Sequence, residues 1–218
     1  MNVRRQVAVS VGAIVAMLLA AGAAYGRLPA AMTVRWDSYG EPVSTMSRAL
    51  AVIVVPATAA FVTALFAAFP RFAPARARLD RAAPAWTAVW MVVLAQLLFT
   101  QLLLLAYNLG VTFNVPTLCS LGDAVMIFVI GNWLGKLRYN FVFGLRTPWT
   151  LADELVWDKT HRFAGRLLVF GAVVLAAATF ALPAGRGPNL VLYALMIGCA
   201  AGPVLAAIVY SALITRPS

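Results

Sequence analysis

The sequence predicts an all-α membrane protein: a bundle of six transmembrane helices with both termini inside. Three observations carry that reading. Hydrophobic residues make up 63% of the 218-residue chain and charged residues only 11%, against roughly 25% charged in ordinary soluble domains. The apolar residues fall in six runs near the length that a ~30 Å hydrocarbon core requires, ~20 residues at 1.5 Å of rise each. The Lys and Arg residues lie between those runs, unevenly. With the N-terminus inside, only Arg27, Arg35, Arg48 and Arg186 fall outside, and the other thirteen of the seventeen face the cytoplasm. The net charge of +10 is therefore a retention signal of a multi-pass protein in the bacterial cytoplasmic membrane, not the mark of a direct nucleic-acid binder.

The first run, Val7 to Ala24, follows a basic start from Met1 to Arg5. A signal peptide has the same grammar, ending in small residues such as Ala21-Gly22-Ala23, but with more spans behind it this run is expected to stay as the first helix. Gly26 to Arg48 is a polar interlude outside. Pro29, Asp37, Gly40 and Pro42 are turn formers, and Trp36 and Tyr39 carry the amphipathic rings that favour a headgroup boundary. The expectation is a capped connector with an interfacial belt. The sharper alternative is an extracytoplasmic recognition surface formed by Pro29, Trp36, Asp37, Gly40 and Pro42.

Ala49 to Phe69 is the second span, with a kink expected at Pro56. The stretch from Pro70 to Pro84 is a basic inner connector holding Arg71, Arg76, Arg78 and Arg81 against Asp80. The third span, Ala85 to Tyr107, contains Gln96 and Gln101, amides that in lipid bond across to a neighbouring helix. After an uncharged link from Asn108 to Thr117, the fourth span runs from Leu118 to about Leu134. It holds Asp123, a carboxylate that is a functional candidate by its depth, although its closeness to the helix start offers it interfacial water and the positive helix end. Leu167 to Leu182 and Leu190 to Ile214 are the fifth and sixth spans, joined by the turn Pro183 to Pro188. Gly198-x-x-x-Gly202 beside Pro203, and Gly131-x-x-x-Gly135, predict close helix–helix approach. Cys119 and Cys199 lie within apolar runs and pack as small residues, with no disulfide implied. Two modules result: residues 1–70, two helices with the outer loop 26–48, and residues 85–218, four helices with the inner loop 131–165.

That inner loop is the polar centre of the chain. It holds the only His and half of the six Trp residues. Lys136 and Arg138 fix the inner end of the fourth helix, and Asn140 to Gly144 is apolar enough to lie among headgroups. Pro148 forces Thr147 out of the helical region. Thr150, with Asp153 three places on, resembles a capping box. Beyond it Leu151, Leu155, Val156 and Phe163 recur at near-helical spacing, while Asp158 and Arg162 stand four apart in the favourable order. A short amphipathic helix on the inner surface is expected, leading into the fifth span. His161 has no companion at metal-ligand spacing, and Thr160 beside it is a sequence neighbour that a helix turns away, so no catalytic pair, metal or cofactor is expected.

The segment GNWLGKLRYNFVFGLRTPWTLADELVWDKTHRFAGRL resembles the signature of the SdpI family, bacterial membrane proteins of toxin immunity. The matching residues are Gly131-Asn132, Asn140, Gly144 to Leu151 and Trp157 to Gly165. Upstream, Leu28-Pro29, Val34, Trp36-Asp37 and Gly40-Glu41-Pro42 are similar to a small module that often precedes it, except that Arg35 replaces a His. The resemblance implies protection against a secreted, membrane-active peptide toxin outside. It also implies signalling by capture of a cytoplasmic ArsR-like repressor, through Asn132, Asn140, Gly144, Arg146, Thr147, Pro148, Trp149, Thr150, Trp157, Thr160, His161 and Arg162. The alternative is a membrane-embedded enzyme or small-molecule carrier in which Asp123, Asn132, Arg146 and His161 converge on one pocket. A purely structural accessory subunit is the third reading.

Overall fold

The computed structural model describes residues 2–37, 39–72, 76–140, 143–181 and 190–215, with the backbone alone at 70–72, 76–81 and 190. In chain order the elements are α1 (Val3–Ala24), β1 (Ala31–Trp36), β2 (Pro42–Ser47), α2 (Arg48–Phe72), α3 (Arg76–Asn108), α4 (Val115–Leu134), α5 (Pro148–Ala152), α6 (Glu154–Ala181) and α7 (Leu190–Leu213). Six of these, all the helices except α5, are long and apolar enough to cross a membrane. Large apolar side chains such as Leu19, Phe170, Phe180 and Ile197 point outward. In water that surface would aggregate; in lipid it is the expected one, because a helix satisfies its own backbone. The turn at 183–188, Arg186, Arg216 and the side chains of Arg71, Arg76, Arg78, Asp80 and Arg81 lie outside the described residues.

The fold is not purely helical, which corrects the all-α expectation. Residues 31–36 and 42–47 form an antiparallel hairpin, with Met32 opposite Met46 and irregular register at Arg35 and Trp36. Alternation drives it: Met32 is buried, Arg35 is exposed, and the β-branched Thr33, Val34, Val43 and Thr45 suit a pleated surface. The connecting turn is built by Asp37 and by Gly40, whose φ of +83° favours glycine. The basic inner connector differs from expectation as well. Helix α2 runs on to Phe72 and α3 starts at Arg76, continuing through Pro84.

Two prolines inside spans free a backbone carbonyl, and a neighbouring helix approaches each one. Pro56 has no N–H for the carbonyl of Val52, four residues back. The buried Gln101 of α3 donates its Nε2–H to that carbonyl at 3.4 Å. Pro203 likewise releases the carbonyl of Cys199, against which Gly171 of α6 packs so closely that a Cβ would come within 3.1 Å of the oxygen. Gln96 also bonds across helices, to Asp123 of α4 at 3.3 Å.

The tightest helix pair is α4 with α6. A Cβ on Gly131 would lie 2.7 Å from Leu168 Cβ, and one on Gly165 would lie 2.6 Å from the Gly131 carbonyl oxygen. Gly131 thus approaches a partner helix as its spacing suggests. Gly198 and Gly202 do not, since nothing comes within 4 Å of a Cβ at either. Their face of α7 points away from the bundle, and Gly171 supplies the close contact to α7 instead. Trp86 of α3 joins the two modules through aromatic rings: it packs on Phe66 of α2, centroids 4.9 Å apart, and stands edge-on to Phe143 of the inner loop at 5.6 Å.

Candidate functional site

The inner loop folds around His161. The imidazole is fully buried and stacks on Trp157, centroids 4.0 Å apart at 22°. The Leu145 N–H donates to Nε2 at 2.9 Å, so that nitrogen carries no proton. Nδ1 lies 2.9 Å from the Trp157 carbonyl, which can only accept, so Nδ1 bears the hydrogen. One neutral tautomer satisfies both contacts. Trp157, equally buried, donates Nε1–H to the carbonyl of Leu137 at 3.0 Å and meets Tyr139 edge-on. The Tyr139 hydroxyl in turn donates to the Leu151 carbonyl at 2.7 Å.

Gly144 lets the loop pass over these rings. At φ +126° it occupies backbone space that L side chains rarely enter, and a Cβ there would lie 2.5 Å from His161 Nε2 and 3.0 Å from the Trp157 ring. Asn140, fully buried, accepts at Oδ1 from the Phe143 N–H at 2.7 Å and donates its Nδ2–H to the Arg138 carbonyl at 2.9 Å.

Helix α5 starts on a capping box, but its members are not the expected Thr150 and Asp153. Thr147 is the N-cap: its Oγ1 accepts from the Thr150 N–H at 3.1 Å while Thr150 Oγ1 accepts from the Thr147 N–H at 2.9 Å. Pro148 at the first helical position selects that register, since it needs no N–H partner there. Thr150 Oγ1–H also donates to the Leu145 carbonyl at 2.8 Å, closing a ring of bonds on the residue that His161 anchors. Thr147 Oγ1 lies 3.2 Å from Ser211 Oγ, which ties the loop to α7. Asp153 instead breaks the chain between α5 and α6, with its Oδ1 accepting from the Leu155 N–H at 2.6 Å. Residues 154–163, expected in a separate surface helix, run without interruption into the fifth span.

The expected inner residues thus divide in two. Asn140, Thr147, Thr150, Trp157, Thr160 and His161 are buried, and among the described residues the hydroxyl of Thr160 has no partner. Asn132, Arg146, Pro148, Trp149 and Arg162 are exposed. Beside them an open polar cleft of about 450 Å³ is lined by Arg138, Tyr139, Glu154 and Asp158. Asp158 lies 3.9 Å from both Arg138 and Arg162, contacts too long and too exposed to contribute much. Leu137, Leu145 and Ser211 hold the loop through backbone or hydroxyl atoms; Leu145 falls within the matching motif, whereas no pattern in the sequence marks Leu137 or Ser211.

The outer residues share a surface of their own. Asp37 Oδ1 accepts from the N–H groups of Tyr39 and Glu41 at 2.8 and 2.9 Å, so its first duty is the hairpin turn. Trp36 packs edge-on against Tyr107 at 4.8 Å, and Pro29 and Pro42 are exposed. A partly open apolar cavity of about 130 Å³ lies beneath the hairpin, lined by Trp36, Met46, Val54, Leu104 and Cys119 among others. The hairpin is also held by a residue that the sequence did not single out. Asn108, at the end of α3, accepts from the Thr33 N–H at 2.8 Å and donates to the Thr33 carbonyl at 3.0 Å.

The convergent pocket of Asp123, Asn132, Arg146 and His161 does not form. Asp123 and Asn132 stand nine residues apart on α4, roughly 13 Å of rise. Both nitrogens of His161 are occupied by backbone groups, and Arg146 points to solvent.

Comparison with known proteins bears on the same two regions. Residues 136–213 match the SdpI/YfhL protein family, and residues 12–60 match DUF1648, a domain of unknown function. The chain is 28% identical over 156 residues to "Immunity protein SdpI" of Bacillus subtilis (strain 168), a match covering 72% of each chain. No solved structure matches it.

Proposed function

We propose that this chain, whose residues 136–213 belong to the SdpI/YfhL protein family behind a DUF1648 domain, is an integral membrane immunity and signalling protein. It protects the cell from a membrane-active peptide toxin, and it draws a cytoplasmic ArsR-like repressor to the inner surface. Its termini lie inside, in the bacterial cytoplasmic membrane, a reading that the distribution of Lys and Arg supports. The curated relative named as an immunity protein supports the first role by kinship.

The observation that carries the reading is the division of the inner signature. Its buried half is consumed in holding the loop shape, while Arg146 and Trp149 remain exposed on either side of Pro148. Trp and Arg are among the residue types most enriched at the hot spots of protein interfaces. Outside, the hairpin with its turn residues Asp37 and Gly40 offers the toxin a face, and the apolar cavity beneath it suits an apolar side chain of the peptide.

The test is expression of wild type, Arg146→Ala and Trp149→Ala in a toxin-sensitive host. Both variants are expected to insert at wild-type levels and to lose toxin resistance or repressor capture. Wild-type behaviour of both variants in both assays contradicts the proposal.

A further inference from the structure

We infer that the groove between the inner ends of α4 and α6 binds the headgroup and upper acyl chain of an anionic phospholipid of the cytoplasmic leaflet. The groove, about 570 Å³, is lined by Asn132, Lys136, Arg162 and Arg166 at one end and by Val169, Phe170 and Val173 at the other. That volume falls in the ~300–1,000 Å³ range of small-ligand sites.

Its origin is the close helix crossing already described. Gly131, Gly135 and Gly165 also line it, and with no side chains there the two backbones meet at the floor of an open trough. Along α6 the lining residues recur at helical spacing, so one stripe of that helix forms the wall. The stripe changes character along its length. Arg162 and Arg166 stand one turn apart, and the next two turns carry only Val169, Phe170 and Val173.

Charge selects the occupant. Lys136, Arg162 and Arg166 are all exposed into the groove. Among the described residues neither Lys136 nor Arg166 has an acidic partner, and Arg162 has only Asp158 at 3.9 Å. Three under-compensated cations at the end of an apolar trough match a phosphate followed by hydrocarbon. Basic pockets between membrane helices on the cytoplasmic side recognise anionic headgroups in this way. Phe170, 68% exposed, and Val173, 56% exposed, line the same groove as the cations, so a headgroup held at the basic end can lay its own acyl chain along them, which a soluble phosphate cannot. The inference rests on the inside placement of the α4–α6 connector and is independent of toxin protection.

Native mass spectrometry of the delipidated full chain tests it, titrating phosphatidylglycerol or phosphatidylcholine and competing with glycerol 3-phosphate. One tightly held phosphatidylglycerol is expected. Lys136→Gln/Arg162→Gln/Arg166→Gln is expected to weaken it by about tenfold or more, and Arg138→Gln/Lys159→Gln, outside the groove, to leave it unchanged. Val173→Trp, which fills the apolar end and keeps the cations, is also expected to weaken it. If the triple variant does not fold, Arg166→Gln alone is read, with a loss of roughly threefold expected. Equal binding of phosphatidylcholine, an undiminished affinity in the groove variants, or displacement by millimolar glycerol 3-phosphate overturns the inference. The last result would mark a headgroup-only phosphate site.

Discussion

At the inner end of the molecule, His161, Trp157, Thr147 and Thr150 are buried and bond mainly to backbone atoms of one loop. At the outer end the hairpin is docked, among the described residues, by the side-chain amide of Asn108 and by Met32 and Leu28 in a small apolar cluster. Arg48, which donates to the carbonyls of Tyr25 and Leu28, closes its base. The difference teaches what a dense polar motif is for. In a chain dissolved in lipid, a connector with this many backbone groups away from water must satisfy them internally. Most of the signature therefore builds a rigid platform, and only its exposed remainder is free to meet a partner. The outer surface has few such locks, so its shape is held less tightly.

The sharpest way to break this contrast is at Gly144. Gly144→Val drives a side chain into the His161–Trp157 stack at a backbone angle that disfavours it, so a loss of about 3 kcal/mol or more is expected. Thermal unfolding in detergent measures it, and a wild-type midpoint would mean the loop does not lie on those rings. Next comes His161→Ala, which leaves the Leu145 N–H without its acceptor and opens a gap beside Trp157. About 2–3 kcal/mol should be lost. Nitrogen-15 NMR of the wild type refines the point: the ring is expected as the neutral Nδ1–H tautomer, and a proton on Nε2 would refute the hydrogen-bond assignment.

A smaller, local effect is expected at the other end. Asn108→Ala should cost about 1–2 kcal/mol, read as faster amide exchange in residues 31–47 with the inner loop unchanged. Uniform acceleration through both ends would erase the contrast. The smallest effect on stability belongs to Arg146→Ala and Trp149→Ala, each within about 0.5 kcal/mol of wild type. Larger destabilisation would place them in the platform with the buried residues.

Six apolar runs were legible in the sequence because hydropathy reports directly on the solvent that surrounds each helix. Their inner ends were not: α3 begins at Arg76, nine residues before the apolar run starts, since a helix continues past the hydrocarbon while charged residues replace apolar ones. The hairpin is hard to see in the sequence because its turn formers equally suit a loop and its alternation spans only six residues a side. Pro148 marks the break in the sequence, yet by taking the first helical position it sets the cap at Thr147, one turn earlier than Thr150 suggests. The cluster around His161 was partly visible as a motif. Its physical roles were not, because Leu137, Leu145 and Ser211 contribute carbonyl, N–H and hydroxyl groups that residue type does not advertise.

The central claim is that the exposed part of the signature faces the cytosol and the hairpin faces outward. In a background with Cys119 and Cys199 replaced by alanine, Arg146→Cys and Tyr39→Cys place a thiol at an exposed position on each face. A membrane-impermeant maleimide added to intact cells is expected to label position 39 and to reach position 146 only after the membrane is opened. Labelling of position 146 in intact cells, with position 39 protected, would contradict the topology and the partner assignment together.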